Sequence, residues 1–324
     1  MRSEGTGTRP IPVFPVPWVR RGVNEEMRPR ARYSRYESRF AYLALIPILV
    51  YMVMFVFYPL ITAFYYSLHD LAYKEFVGLQ NYREALFEDS RVQKSIRNTF
   101  MYLLIRVPTT IILGFWIANT LDKISQRGRS PLLAGFFAPY LPSLVAFAAV
   151  FMHLYASGGL FNAFLQFFGL PPQPFTRHPR QALASIALMD AWKHIGFDIV
   201  IFLAALQNIP KTLYEAATVD GASRWQLTRY ITIPLLRPTF LYLTAVLSIW
   251  TLQVFEPIYV MTGAAIGGAG GPLDSTRTIV LTIYQAAFSS ARIGYASAVS
   301  YVLFAIIFAI TIVQLRVGIT RWEY

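Results

Sequence analysis

The sequence predicts an all-α integral membrane protein with six transmembrane helices. Of its 324 residues, 55% are hydrophobic and only 14% are charged, whereas about a quarter of the residues of a soluble domain carry a charge. The apolar residues form six continuous segments, at about 40–68, 98–121, 131–156, 183–206, 239–262 and 293–315. Each exceeds the roughly 20 residues with which a helix crosses a bilayer. A membrane barrel would instead require alternating segments of ~10 residues.

A basic tail precedes the first apolar segment. Residues 1–39 contain nine arginines and several prolines, a composition that favours an extended segment without a packed core. We interpret it as a cytoplasmic anchor; a ligand for a proline-recognition domain is the alternative. No cleavable signal peptide is evident, and Met27 is a second plausible start. The predicted domains are the tail (1–39), a transmembrane domain (40–316) and a cytoplasmic C-terminus (317–324).

The net charge of +12 does not indicate nucleic-acid binding, because the basic residues lie mainly in the tail and at the ends of the apolar segments. The arginines before the first segment place the N-terminus in the cytoplasm. The C-terminus and the connections 122–130 and 207–238 then lie on the same side. The sequence has no cysteine, which excludes disulfides and thiolate catalysis. Its scattered histidines form no metal-binding motif, so no metal site is expected.

The most informative connection is the long polar one at 207–238. Pro210 suits the start of a short helix, and Gly221 can end that helix and turn the chain. Ser223 can cap a second short helix through Gln226, which Pro234 is expected to end. The pattern predicts a helix–turn–helix at the cytoplasmic surface. Such a motif can dock into a groove on a partner protein or rest on lipid headgroups, and the residues alone leave both open.

The same segment resembles the EAA loop of binding-protein-dependent ABC importer permeases. The family pattern is EAA, then DGA, then a late I-x-L-P, and Ile233 in place of Leu is the only departure in those positions. Residues 76–82 and 98–99 are similar to the FVGLxNY and NT motifs of the carbohydrate branch, the maltose/glycerol-phosphate type. Seven residues separate Thr262 from Gly270-Gly271-Pro272, an expansion of that branch's T-x-GGP. The resemblance covers most of residues 40–316.

The resemblance implies the type I importer permease fold, with the EAA loop as a coupling helix that docks on an ATPase. It implies import of a solute, a sugar or oligosaccharide, by alternating access across the cytoplasmic membrane of a prokaryote. The implied partners are a second, related permease chain, two ATPase subunits that hold ATP and Mg, and an extracytoplasmic solute-binding protein. No cofactor and no enzymatic activity are expected in this chain, which lacks a phosphate-binding P-loop. The implied coupling residues are Glu215, Ala216, Ala217, Asp220, Gly221 and Ala222.

A solute site is expected among the few polar and aromatic residues of the spans, since intramembrane ionisable residues usually have a function. Aromatic rings suit the faces of a sugar, and amides or carboxylates suit its hydroxyls. The candidates are Asp190, Trp192, Lys193, Asp198, Trp250, Thr251, Gln253 and Glu256. Arg106 and His194 also lie within spans. The spacing allows Asp190 to pair with Lys193, and His194 with Asp198, and a structural pair involving Lys193 is favoured over a role in binding.

Three alternatives remain open at this stage. An ion-coupled secondary transporter would use carboxylates such as Asp190, Asp198 and Glu256, although such proteins usually contain inverted repeats, and none is evident. A membrane enzyme is disfavoured because no catalytic grouping is visible. An ABC permease for an amino acid or an anion keeps the family and changes only the cargo.

Overall fold

A computed structural model describes residues 35–70, 75–263 and 270–318, and over these residues the protein is helical, with a single isolated bridge between His69 and Phe76. Most of the basic tail and the glycines at 267 and 268 lie outside the described residues. The α-helices are α1 (Arg35–Met52), α2 (Tyr58–Ser67), α3 (Gln80–Arg83), α4 (Ser90–Leu121), α5 (Gln126–Phe137), α6 (Leu144–Leu154), α7 (Leu160–Phe167), α8 (Ala182–Gln207), α9 (Lys211–Val219), α10 (Arg224–Leu227), α11 (Ile233–Leu235), α12 (Arg237–Leu252), α13 (Glu256–Ile258), α14 (Ile279–Tyr284) and α15 (Ile293–Gly318).

Three described helices are long and apolar enough to cross a membrane. They are Tyr42–Ser67, which includes a π-helical turn at Val53–Phe57, then α4, and Ile293–Val317 of α15. Two bent pairs of helices would raise the number to five. The helix α8 has 26 residues, but Asp190, Lys193 and Asp198 give it more charge than an ordinary span. The all-helical membrane fold is therefore confirmed, while the sixth span stays a prediction.

Two segments predicted as continuous spans are interrupted. The segment predicted at 131–156 bends by 91° between Tyr140 and Leu144. Pro139 and Pro142 flank this bend, and proline breaks a helix because it lacks a backbone N–H and its ring clashes with the preceding turn. The segment predicted at 239–262 ends its regular helix at Leu252 and continues through the short α13. Continuity of the first segment was the wrong expectation because hydropathy counts apolar residues and ignores its two prolines.

The chain divides into two compact units, residues 1–58 and 59–324, and all the packing that follows lies in the second. Its largest apolar cluster joins α4, α8 and α12. The ring of Phe115 lies 5.8 Å from that of Phe202 and 5.2 Å from that of Phe240. The helix α5 packs closely on α8 at Gly196, where a Cβ would collide with the backbone of Phe136. This core holds α4 and α8 side by side along their length.

The beginnings of α4 and α15 are tied together by polar contacts. Arg292 Nη2 lies 2.6 Å from Glu84 Oε2, and the Tyr295 hydroxyl donates to Asp89 at 2.7 Å. The hydrogen bond to Glu84 raises the pKa of the Arg292 guanidinium above its usual value. Asp89 also caps α4, because its side chain accepts from the backbone of Arg91 at 2.8 Å.

Candidate functional site

The helix–turn–helix predicted at 207–238 is present in the structure. The helix α9 ends in a Schellman motif, in which Gly221 adopts φ +80°. The N–H of Ala222 bonds to the carbonyl of Ala217 at 2.9 Å, and that of Gly221 to Thr218 at 3.0 Å. These two bonds satisfy carbonyls that a helix end otherwise leaves without partners. Gly221 thus fixes the angle at which the chain leaves α9.

A capping box starts the second helix of the motif. The Ser223 backbone N–H bonds to Gln226 Oε1 at 2.7 Å, and the Ser223 hydroxyl accepts from the Gln226 backbone at 3.4 Å. The expected end at Pro234 is wrong, because the chain continues through a π-helical turn at Thr228–Thr232 and α11. It bends by 63° only where α12 begins. A π turn is one way in which a helix accommodates a following proline.

The motif is attached to the transmembrane helices at two points. The hydroxyl of Tyr214 on α9 lies 3.0 Å from that of Thr232, just before α12. The rings of Trp225 on α10 and Trp116 on α4 stack with centroids 5.9 Å apart and planes 6° apart. A displacement of α9 or α10 would therefore be passed to α4 and α12.

The outer surface of the motif is available to a partner. Apolar side chains project from it, with Val219 89% and Tyr230 69% exposed. The expected coupling residues Glu215, Ala216, Asp220 and Gly221 are exposed, and Ala217 and Ala222 half-buried. Ala217, Asp220, Gly221 and Ala222 line one concavity of about 290 Å³ with Gln226, Leu227, Tyr230 and Ile231. The six residues therefore lie together at the exposed end of α9 and the turn that follows it.

A buried polar cluster joins α4, α8 and α12. Its centre is Asp190, whose Oδ2 lies 2.7 Å from Arg106 Nε and accepts from the Tyr102 hydroxyl at 2.9 Å. Asp190 Oδ1 lies 2.9 Å from His194 Nδ1. Arg106 also donates to the Thr251 hydroxyl. Asp190 and Thr251 are thus occupied by internal partners, as buried polar groups usually are.

The structure pairs Lys193 differently from the sequence expectation. Its Nζ donates to the backbone carbonyls of Pro139, Tyr140 and Pro142 at 3.2, 3.0 and 2.7 Å. These carbonyls lie at the bend between α5 and α6, where the helix no longer supplies partners. A cation there also complements the negative end of the helix dipole. Lys193, which is 3% exposed, supports the bend and forms no ion pair within 4 Å in the described residues.

Two further candidates lie apart from these groups. Asp198 is fully buried beside Gly114 of α4, and neither carboxylate oxygen has a hydrogen bond within the described residues. His194 bonds to Asp190 and does not pair with Asp198. Trp192 is half exposed, and its ring lies 5.6 Å from Phe147 and 5.5 Å from Phe151.

The remaining candidates converge on one cavity. Trp250, Gln253 and Glu256 line a space of about 260 Å³ between α6, α8 and the end of α12. Its other lining residues are Arg106, Leu144, His194, Val254, Phe255 and Pro257. Leu144 was missed because an aliphatic residue in an apolar segment carries no signal of its own. Arg106 and His194 were visible in the sequence as intramembrane ionisable residues but were not among the candidates.

No group of three or more potential metal ligands occurs among the described residues.

Curated relatives match the chain over almost its whole length. It is 34% identical to the trehalose/maltose transport system permease protein MalF of Thermococcus litoralis over 287 residues, which are 87% of this chain and 94% of the relative. It is 30% identical to the lactose transport system permease protein LacF of Rhizobium radiobacter over 290 residues, 88% and 96% of the two chains. No family model matches the sequence.

Solved structures share the fold. A chain of a bacterial ABC transporter involved in the import of the acidic polysaccharide alginate superposes with a TM-score of 0.77 at 23% identity, covering 89% of this chain and 98% of that one. A chain of a bacterial alginate ABC transporter, in complex with an alginate pentasaccharide-bound periplasmic protein, gives a TM-score of 0.74 at 26% identity, with 88% and 97% covered.

Proposed function

This chain belongs to the family of ABC transporter permease proteins, in the branch that contains the maltose and lactose permeases, and we propose that it carries a neutral sugar or oligosaccharide into the cell. It does so by alternating access, driven by ATP hydrolysis on a separate ATPase subunit. The observation that supports this most is the attachment of the EAA-type motif. Its exposed face is free for a partner, while Tyr214 and Trp225 join it to transmembrane helices.

We infer six spans. Five are the three long helices, the bent pair of α5 and α6, and α12, which the surface helices α10 and α11 precede at a 63° bend; α8 is the sixth. Its 26 residues would extend about 39 Å at 1.5 Å per residue, enough to cross the bilayer. Its charged residues do not argue against this, because Asp190 is paired with Arg106 and Lys193 is bound by three carbonyls. Paired charges that face the bundle interior are tolerated in membranes. With six spans both termini and the motif would lie on one side of the membrane, and the basic residues before the first span favour the cytoplasm.

The motif is the proposed coupling element. Glu215, Ala216, Ala217, Asp220, Gly221 and Ala222 would meet a groove on the ATPase, with the small alanines permitting close approach. The ATPase subunits would hold ATP and Mg. A second permease chain and an extracytoplasmic binding protein would complete the assembly, as the periplasmic protein in one related complex suggests.

The cavity lined by Trp250, Gln253 and Glu256 is the proposed solute site. Trp250 offers a flat apolar surface for a sugar ring, and Gln253 and Glu256 offer groups for its hydroxyls. The cation Arg106 is already neutralised by Asp190 at 2.7 Å, whereas Glu256 has no ion pair within the described residues. An acidic sugar would therefore meet an uncompensated carboxylate, which disfavours it. For this reason we propose a neutral cargo, in contrast to alginate.

Charge reversal tests the coupling role. Glu215→Lys should greatly reduce the amount of ATPase that co-purifies with the permease and abolish ATP-driven uptake in proteoliposomes. Glu88→Lys reverses an exposed glutamate just before α4 whose surface ion pair with Arg83 at 3.1 Å contributes little; it is the control and should behave like the wild type. Full ATPase association and full uptake in Glu215→Lys would show that this face does not bind the ATPase.

A further inference from the structure

A second and larger cavity lies at the other end of α4 from the proposed solute site. It has a volume of about 500 Å³ and is formed by the end of α4, the end of α8 and the helix–turn–helix. Its lining residues are Asn119, Asp122, Lys123, Leu206, Tyr214, Arg224, Leu227, Thr228 and Thr232. Asn119 is 13 residues from Arg106 on the same helix, or about 20 Å, so the two cavities are separate.

Asn119 places a polar group on the wall of the cavity. Its side chain is 7% exposed and lines the cavity, and its amide has no hydrogen bond within the described part of the chain. The amide therefore faces the cavity and is free to bond to an occupant. Thr228 and Thr232 also line the cavity, but their hydroxyls are bonded within the motif, to the carbonyls of Arg224 at 3.1 Å and Leu227 at 3.3 Å. An apolar occupant such as a lipid tail would leave the Asn119 amide unsatisfied.

The charges on the wall favour an anion. Lys123 and Arg224 line the cavity, and neither has an ion pair within the described residues. The single carboxylate of the wall, Asp122, lies 3.7 Å from Arg129 Nη1, so its charge is partly neutralised from outside the cavity. Guanidinium, ammonium and amide donors together suit the oxygens of a phosphate group. A volume of about 500 Å³ falls within the range of ligand pockets and exceeds what phosphate alone needs.

We propose that this cavity binds a phosphate monoester or diester together with the group attached to it. The phosphate belongs either to the headgroup of an anionic phospholipid or to a soluble sugar phosphate. Arg224 and Lys123 contact the phosphate oxygens, and Asn119 donates from the cavity floor. Because Arg224 lies on α10 and Asn119 on α4, the ligand bridges the two helices that the Trp116–Trp225 stack also joins. If the motif has the proposed coupling role, this ligand regulates coupling; its binding does not depend on that role.

Binding is measured on the intact permease–ATPase complex with two probes. In nanodiscs, native mass spectrometry compares the retention of phosphatidylglycerol with that of phosphatidylcholine. In detergent, calorimetry compares glucose 6-phosphate with glucose. Arg224→Gln and Asn119→Leu should each weaken binding of the preferred probe about 10-fold or more, as expected for a lost charge-assisted bond or donor. Arg229→Gln is the control. It removes an exposed cation from the neighbouring π-helical turn, which does not line the cavity with this residue, and it should change the affinity by less than about twofold.

The outcomes separate the sources and the competing explanations. Selective retention of phosphatidylglycerol identifies a lipid headgroup, and selective binding of glucose 6-phosphate identifies a soluble ligand. Binding of neither probe, or equal weakening by Arg229→Gln, overturns the proposal in favour of water or unspecific surface attraction. ATP-driven sugar uptake is recorded on the same preparation. A complex that transports sugar yet binds neither probe contradicts the phosphate site alone, whereas a complex without uptake contradicts the proposed function.

Discussion

Replacement of Gly221 should uncouple the permease without disturbing its spans. The residue ends α9 at φ +80°, a conformation that costs an L-residue about 1–2 kcal/mol and more when the side chain is β-branched. A Cβ at this position would have no atom within 4 Å. The penalty in Gly221→Val is therefore backbone strain and not a steric clash.

The magnitude follows from the turn itself. If the valine cannot hold positive φ, the turn relaxes and loses its two Schellman hydrogen bonds. Their donors are the backbone N–H of residue 221 and that of Ala222, and each bond is worth about 0.5–1.5 kcal/mol. Because those bonds are lost only in the relaxed turn, the change in the ratio of native to altered turn is set by the strain of about 1–2 kcal/mol, which makes that ratio ~5- to ~30-fold smaller. Asparagine tolerates the left-handed region better than other non-glycine residues. The expected order of coupling is therefore Gly, then Asn, then Ala, then Val.

The assay is co-purification of the ATPase together with the initial rate of ATP-driven uptake in proteoliposomes. Gly158→Val is the matched control, because a Cβ there also meets no atom within 4 Å but the residue lacks positive φ. It should retain both properties. Wild-type association and uptake in Gly221→Val, or equal damage in Gly158→Val, would refute the reasoning from the turn.

Further predictions concern the spans. Lys193→Met should lower the free energy of unfolding of the solubilised permease by about 3 kcal/mol, because the carbonyls at the α5–α6 bend lose a charged donor. The control Lys211→Met, at an exposed position, should leave the melting temperature unchanged. An unchanged melting temperature in Lys193→Met would exclude the supporting role of Lys193. Trp250→Ala should reduce sugar uptake at low sugar concentration about 10-fold with normal ATPase association. Trp192→Ala, whose ring packs on α6 outside the cavity, is its control, and the reverse pattern would move the solute site. Glu256→Gln should increase the relative uptake of acidic over neutral sugars, and an unchanged ratio would contradict the charge argument.

Features encoded by neighbouring residues were predictable from the sequence. The turn at Gly221 and the cap at Ser223 each depend on residues within a few positions of one another, and both are present as expected. The number of membrane spans was harder to predict from the sequence, because α8 combines the length of a span with the charges of Asp190, Lys193 and Asp198. Hydropathy alone cannot tell whether such charges are paired inside the protein.

Features that join distant helices were not predictable in the same way. Spacing along α8 suggested a pair between Asp190 and Lys193, but Asp190 is paired with Arg106 of α4. Lys193 instead binds carbonyls far earlier in the chain, at a bend whose signal was its two flanking prolines.

The cavity with Trp250, Gln253 and Glu256 was partly anticipated, since polar and aromatic residues in the spans are few. Its other polar lining residues, Arg106 and His194, are brought there only by the packing of α4 against α8. Periodicity within one helix carries no information on which neighbouring helix it will meet, so this part of the site required the structure.

The most direct test of the account is the energy source of transport. The permease is reconstituted in proteoliposomes with its ATPase, its partner permease and its binding protein, and uptake of a radiolabelled neutral oligosaccharide is measured. We predict that uptake requires ATP on the ATPase side and the binding protein on the other, and that it persists when ionophores remove proton and sodium gradients. Uptake that follows an ion gradient and proceeds without ATP would contradict the account and indicate a secondary transporter.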